Sequence, residues 1–164
     1  SMSIMQAREN IENETFIDAE GNEVDPGFIP RPTDQRFRFS MFFQDYLPRS
    51  KTFKAHLNFI YATGLPFGPP DNVRYNDNLR IPAYRRVDVG FSAGIYDRSK
   101  GKKLSNTKFF SKLKSIWATL EVYNLFGVEN TISYLWIKDV TNTVYAVPNT
   151  LTARRINLRL IVKF

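Results

Sequence analysis

The chain of 164 residues contains no cysteine, which excludes disulfide frameworks, iron–sulfur clusters and thiol chemistry. It has a single histidine, His56, too few for a His-based metal site. No Ser, Asp or Cys is spaced to make His56 part of a triad, so it reads as a polar lining residue. Long apolar runs are also missing. The longest stretch without charge or histidine, Leu57 to Pro70, holds Gly64, Pro66, Gly68, Pro69 and Pro70 and cannot be a membrane-spanning helix. Helical heptads and low-complexity tracts are missing too. The opening Ser1-Met2-Ser3-Ile4-Met5-Gln6 lacks a basic segment followed by an apolar run, so no secretory leader is visible there. No acid–base or metal cluster supports an enzyme, and no cofactor is expected.

What the chain has is aromatic residues, with 14 Phe, 8 Tyr and 2 Trp, and a net charge of +7. The charge allows an acidic partner such as nucleic acid or anionic lipid but does not choose between them.

Period-two alternation is the strongest pattern. Ile156, Leu158, Leu160, Val162 and Phe164 alternate with Arg155, Asn157, Arg159, Ile161 and Lys163. Phe37, Phe39, Met41 and Phe43 alternate with Arg36, Arg38, Ser40, Phe42 and Gln44. Phe53 to Tyr61, Val87 to Ile95 and Ile116 to Val122 repeat the pattern. These are five strands of about ten residues, the length of a tilted strand crossing a bilayer. Ser1 to Arg8 reads as the outer end of a sixth.

The connections alternate in length. Leu47–Lys51 is a short turn; Ala62–Ala83 and Gly127–Ala153 are long and polar, and Asp97–Ser115 is strongly basic. Glu9–Gln35 reads as a further long loop. Within Gly127–Ala153 two β-prone pieces, Thr131–Ile137 and Thr143–Val147, suggest a hairpin, and a short basic helix is allowed around Lys108–Lys114.

A soluble β-sandwich also alternates. Three features favour a membrane sheet. Long cations, Arg38, Lys54, Arg86 and Arg159, stand mid-strand on the polar face, where a wet lumen tolerates them and a dry core does not. Aromatics gather near strand ends, as in interfacial girdles: Phe43 with Tyr46, Tyr61 with Phe67, Tyr123 with Phe126. The last strand ends on Phe164, in phase with its apolar face, as in the assembly signal of outer-membrane barrels. Short turns on the inner side put Gly127–Ala153, Ala62–Ala83 and Glu9–Gln35 outside. Five or six strands cannot close around a polar lumen, for which about eight is the floor. The chain therefore reads as part of a larger barrel.

Several words in the sequence carry a resemblance: Arg31-Pro32-Thr33-Asp34-Gln35, Phe42-Phe43-Gln44-Asp45-Tyr46-Leu47-Pro48, Thr63-Gly64-Leu65-Pro66-Phe67-Gly68-Pro69-Pro70, Tyr84-Arg85-Arg86-Val87-Asp88-Val89-Gly90-Phe91, Leu120-Glu121-Val122-Tyr123-Asn124-Leu125-Phe126, Asn130-Thr131-Ile132-Ser133-Tyr134, and Leu151-Thr152-Ala153-Arg154-Arg155 before the last strand. In this order they resemble the C-terminal barrel of TonB-dependent outer-membrane receptors of the Bacteroidota type. The resemblance implies an all-β fold: the last five to six antiparallel transmembrane strands of a twenty-two-stranded barrel. Residues 1–34 would then be mostly external loop, 35–126 four strands, 127–153 an external loop with its hairpin and 154–164 the terminal strand. It implies import of a scarce ligand (a metal chelate, glycan or peptide), with outer-membrane lipid, the rest of the receptor and the barrel-assembly machinery as partners. The plug and TonB-binding segment are not in these residues, so TonB would be reached only through the missing N-terminal part.

Candidate sites follow. Asp88, Glu121, Arg155 and Arg159 lie on polar faces as a lumenal charge ladder, and antiparallel pairing places Glu121 close to Asn157 or Arg159. The ladder either touches plug or ligand or stiffens the wall by cross-strand charge pairs, and the second is the simpler reading. Tyr134, Trp136 and Tyr145 could stack on a sugar or aromatic ligand, or equally pack within their loop hairpin or stand at the membrane interface. Phe164 is the assembly signal. Asp18, Glu20 and Asp25 form a weak Ca²⁺ candidate without calcium-loop spacing, for which a solvated turn is simpler. Asn13-Glu14-Thr15 fits a glycosylation sequon of a kind that arises by chance. Arg98, Lys100, Lys102, Lys103, Lys108, Lys112 and Lys114, with Phe109 and Phe110, lack an accompanying nucleic-acid motif, so a turn touching anionic headgroups is expected and no nucleic acid. The alternative is a soluble basic β-barrel or sandwich that binds a ligand or nucleic acid. It would bury Phe37, Phe39, Phe59, Phe91 and Leu160 together; the membrane sheet exposes them as one belt.

Overall fold

The computed structural model describes residues 1–11, 15–17, 20–50, 52–70, 79–98, 112–151 and 153–164. Asp18, the Asn13-Glu14 part of the sequon, and Lys100, Lys102, Lys103, Lys108, Phe109 and Phe110 lie outside them. The fold is all-β, with no α-helix among the described residues. In chain order the strands are β1 (Met2–Ile4), β2 (Arg8–Asn10), β3 (Phe16–Ile17), β4 (Glu23–Val24), β5 (Phe28–Pro30), β6 (Phe37–Tyr46), β7 (Phe53–Ala62), β8 (Pro66–Phe67), β9 (Leu79–Arg80), β10 (Tyr84–Asp97), β11 (Ser115–Tyr123), β12 (Thr131–Lys138), β13 (Val144–Thr150) and β14 (Arg155–Lys163).

The main sheet has the order β1-β6-β7-β10-β11-β14, so its five long strands lie side by side in chain order as a meander. These are the five stretches of period-two alternation. The sixth strand is shorter than the sequence suggests. Only Met2, Ser3 and Ile4 pair with β6, opposite Phe39, Arg38 and Phe37. The ladder stops because the Ala7 N–H is captured by Asp34 Oδ1 at 2.7 Å, and Arg8–Asn10 turns to pair with Phe28–Pro30.

By contacts the chain divides into two compact units: Ser1–Phe39, Tyr61–Arg85 and Glu129–Leu151 in the first, Ser40–Ile60, Arg86–Val128 and Thr152–Phe164 in the second. In the first unit the long polar connections carry small antiparallel ladders of their own: β2 with β5, β3 with β4, β8 with β9, and the longer β12–β13 hairpin. Asp34 is fully buried there and holds several pieces at once. It takes the Ala7 N–H, Arg36 Nε at 2.7 Å and Arg80 Nη2 at 2.5 Å, while Arg80 Nη1 donates to the Asp34 and Gly64 carbonyls.

The second unit holds most of the long strands. Its β11–β14 ladder runs in register from Ser115↔Lys163 to Tyr123↔Arg155, and β10 pairs with β11 from Val89↔Val122 to Asp97↔Ser115, with a bulge between Gly94 and Tyr96. One face carries Phe91, Leu120 and Leu158, exposed by 54%, 46% and 74%. Met41, Phe43, Phe53, Ile156, Leu160 and Val162 are exposed with them. Buried positions in this unit are mainly polar: Asp88, Thr119, Glu121 and Asn124, with Tyr96 and Leu113 as the apolar exceptions. Of the five belt residues singled out above, Phe91 and Leu160 are exposed, and Phe37, Phe39 and Phe59 are half-buried.

Candidate functional site

The polar face of the second unit gathers the charged side chains. Side chains on a strand point to alternate faces, so Glu121 and Tyr123 of β11 share a side with Asn157 and Arg159 of β14. Glu121 stands opposite Asn157 in register and is nearly buried. Its Oε2 accepts Asn157 Nδ2 at 2.9 Å and the Tyr123 hydroxyl at 2.8 Å, and its Oε1 accepts Arg159 Nη2 at 2.9 Å. His56 Nε2 of β7 lies 3.7 Å from the same Oε1. Gly90 stands opposite Glu121 on the other side, and a Cβ there would lie 2.0 Å from the His56 ring. The missing side chain lets the imidazole rest on the β10 backbone, the usual meaning of a glycine inside a strand. One row along, the Ser92 and Thr119 hydroxyls are 2.9 Å apart.

Asp88 centres a second, separate cluster. Its Oδ1 accepts Arg86 Nε at 2.7 Å and the Asn124 backbone N–H at 2.8 Å, and its Oδ2 accepts Asn58 Nδ2 at 3.2 Å. Asn124 follows β11 with a φ of 52°, a left-handed conformation that asparagine tolerates better than most residues. Its side chain bridges the Val128 N–H and carbonyl, closing the turn. Asp88 thus ties β7 and β10 to the end of β11. The charge ladder therefore divides: Arg159 joins Glu121, Arg86 joins Asp88, and Arg155, opposite Tyr123, has no carboxylate partner among the described residues. Both carboxylates are occupied by donors, as buried charge requires. Such an arrangement ties neighbouring strands together.

Beside the Glu121 cluster the same face holds a recess of ≈ 370 Å³, walled by Phe42, Gln44, Lys54, His56, Ser92, Trp117, Thr119, Glu121, Arg159, Ile161 and Lys163. Lys54 Nζ lies 4.7 Å from the Tyr46 ring centroid and 5.0 Å from that of Trp117, within cation–π range of both. Trp117 in turn lies over Gly94, where a Cβ would come within 3.2 Å of the indole.

In the first unit the three aromatic candidates do not converge. Tyr134 and Trp136 share one face of the β12–β13 hairpin, where Tyr134 stacks on Phe67 at 4.5 Å and 12° and Trp136 tilts against it at 6.3 Å. Tyr145 pairs in register with Ile137, on the opposite face with Leu135 and Val147, and is exposed. Two of the three candidate rings thus pack against Phe67. At the hairpin turn the Thr141 hydroxyl, followed by the Thr143 N–H, donates to Asp139 and holds its carboxyl below the ordinary value.

Phe164 is exposed beside the apolar residues of β14. Asp25 Oδ1 accepts the Gly27 N–H at 2.7 Å, a local turn contact, and no group of three metal-ligating side chains occurs among the described residues. Lys112 and Lys114 are exposed and not helical.

Sequence reasoning missed Asn58, Asn124 and the glycines under the two rings. Glycine inside an alternating strand was the available signal for Gly90 and Gly94. An asparagine directly after a strand was the signal for Asn124. Compared with protein-family models, with curated proteins and with solved structures, the chain matches none of them.

Proposed function

We propose that this chain is a length of wall, with its outward loops, from an outer-membrane β-barrel of the TonB-dependent receptor type, which imports a scarce ligand such as a metal chelate, glycan or peptide. One observation carries the reading. The long antiparallel strands bury the Asp88 and Glu121 carboxylates and the Thr119 hydroxyl on one face and leave leucine, isoleucine and phenylalanine exposed on the other. In water that arrangement forfeits the burial of apolar side chains, about 25 cal/mol per Å². In a bilayer the exposed face is solvated by hydrocarbon, and the polar face lines a wet interior. Partners in this reading are outer-membrane lipid, the remaining strands and plug of the same receptor, TonB through the receptor's N-terminal part, and the barrel-assembly machinery. The chain performs wall and loop roles and no catalysis.

The cysteine-free sequence permits a direct test. Single cysteines at Phe91, Leu120 and Leu158, and at Thr119 and Asn157, carry nitroxide labels in the protein assembled in its membrane. Labels at the first three should relax strongly with oxygen and weakly with a water-soluble nickel chelate, and those at the last two should not respond strongly to oxygen. Equal shielding of all five from both reagents would instead indicate a soluble sandwich with a dry core.

A further inference from the structure

We propose that the exposed apolar face ends in a site for the headgroup phosphate of an acidic phospholipid, with Lys112 and Lys114 as the groups that hold it. The proposal rests on the barrel-wall reading, which puts this end of the strands on the inner side. Backbone pairing continues past the end of β11. The Arg98 N–H donates to the Lys114 carbonyl at 2.9 Å, and the Lys114 N–H donates to the Lys163 carbonyl at 2.8 Å. Arg98, Lys114 and the Lys163–Phe164 end therefore lie side by side in a last row. Period two puts Lys114 in line with Ile116, Ala118 and Leu120 of the apolar face, and out of line with Glu121. Leu113, between the two lysines, is only 2% exposed, whereas Lys112 and Lys114 are both exposed. The buried leucine anchors the segment and leaves the lysine on either side of it outward. Neither lysine enters an ion pair among the described residues.

The rows just before this end stay apolar, with Ile95, Leu160 and Val162 exposed. A cation in phase with a lipid-facing surface marks the level at which hydrocarbon stops, because a deeper position is costly. Lysine stems lie along apolar surface while the ammonium reaches the headgroup layer. An acidic phospholipid satisfies both parts of the site at once. Its acyl chains cover Ile95, Leu160 and Val162, and its phosphodiester brings the net negative charge that two unpaired lysines attract. A zwitterionic lipid carries its own ammonium beside the phosphate. Free phosphate leaves the apolar rows uncovered, and so does an acidic segment of nucleic acid.

Native mass spectrometry of the membrane-assembled protein, released into detergent from bilayers of equal phosphatidylglycerol and phosphatidylcholine, tests this. The protein should retain phosphatidylglycerol in preference to phosphatidylcholine. Lys114→Gln should lower that retention about fivefold, the attraction of one lysine for an anionic headgroup layer, and Lys112→Gln/Lys114→Gln should lower it further. Lys112→Arg/Lys114→Arg should retain the lipid, and Lys138→Gln, which removes the same charge from the β12–β13 hairpin, should leave retention unchanged. Four results overturn the proposal: no preference for phosphatidylglycerol; undiminished retention by Lys114→Gln; an equal loss in Lys138→Gln; or displacement of the lipid by millimolar inorganic phosphate. The nitroxide labels at Phe91 and Leu158 separate the two readings. If they are open to oxygen, any of these results overturns the lipid site alone; if they are shielded, the barrel reading itself fails.

Discussion

Asp34 has no solvent-exposed surface and is nevertheless held as a carboxylate. Burial opposes its ionisation, but the Ala7 N–H and the guanidinium groups of Arg36 and Arg80 more than offset this and lower its pKa from 3.8 to about 2. Since the folded value lies below the ordinary one, the stabilisation is complete above about pH 4 and is lost as the pH falls through about 2. Asp34→Asn keeps an acceptor for Ala7 but turns an amide donor toward two guanidinium donors. The expected local cost is on the order of 1–3 kcal/mol. It should appear at neutral pH as faster amide exchange at Ala7, and at Ile81, whose N–H donates to the Leu65 carbonyl beside Arg80. After correction for intrinsic exchange, the unmodified protein should approach the variant's rates between pH 4 and 2, while the variant stays flat over that window. Matching pH profiles in the two proteins would show that Asp34 does not hold this part of the chain.

At the level of the strand, β14 offers the sharpest contrast, because adjacent residues meet opposite surroundings. Leu158 lies on the exposed apolar face and Asn157 on the polar face against Glu121. On the barrel-wall reading, Leu158→Arg should cost about 2–4 kcal/mol in the membrane, the penalty of a cation near mid-bilayer. Asn157→Arg should cost clearly less, as read by urea unfolding in vesicles. Equal penalties would mean that hydrocarbon does not bathe the Leu158 face. The same contrast explains what was legible in the sequence. Five long strands could be read because period two survives wherever one side is greasy and the other is not. The proximity of Glu121 to Asn157 and Arg159 followed from antiparallel register alone. The two- and three-residue ladders in the connections are too short to show a period, and β1 is cut short by Asp34, a side chain distant in sequence. Asp88's partner Asn124 depends on a left-handed turn, and Tyr134's contact with Phe67 joins two separate loops; neither has a periodic signature.

At the scale of the molecule, the main sheet ends in two margins. Among the described residues β14 pairs with β11 alone, and no strand pairs with the outer side of β6 from Met41 to Asp45. In hydrocarbon each unpaired N–H and C=O costs several kcal/mol, so an open sheet of this kind is not viable in a bilayer and its margins must be taken up by other strands. In an antiparallel strand alternate residues direct their N–H groups to opposite neighbours, so closure is readable amide by amide. On the barrel-wall reading, all amides from Ile156 to Val162 should exchange slowly in the membrane, including the alternate ones that point away from β11, and so should those from Met41 to Asp45. Residue-resolved hydrogen exchange by mass spectrometry decides the matter. If every second amide of β14 exchanges at the rate of a free peptide while its neighbours are protected, β14 is a true edge, and a barrel cannot contain it.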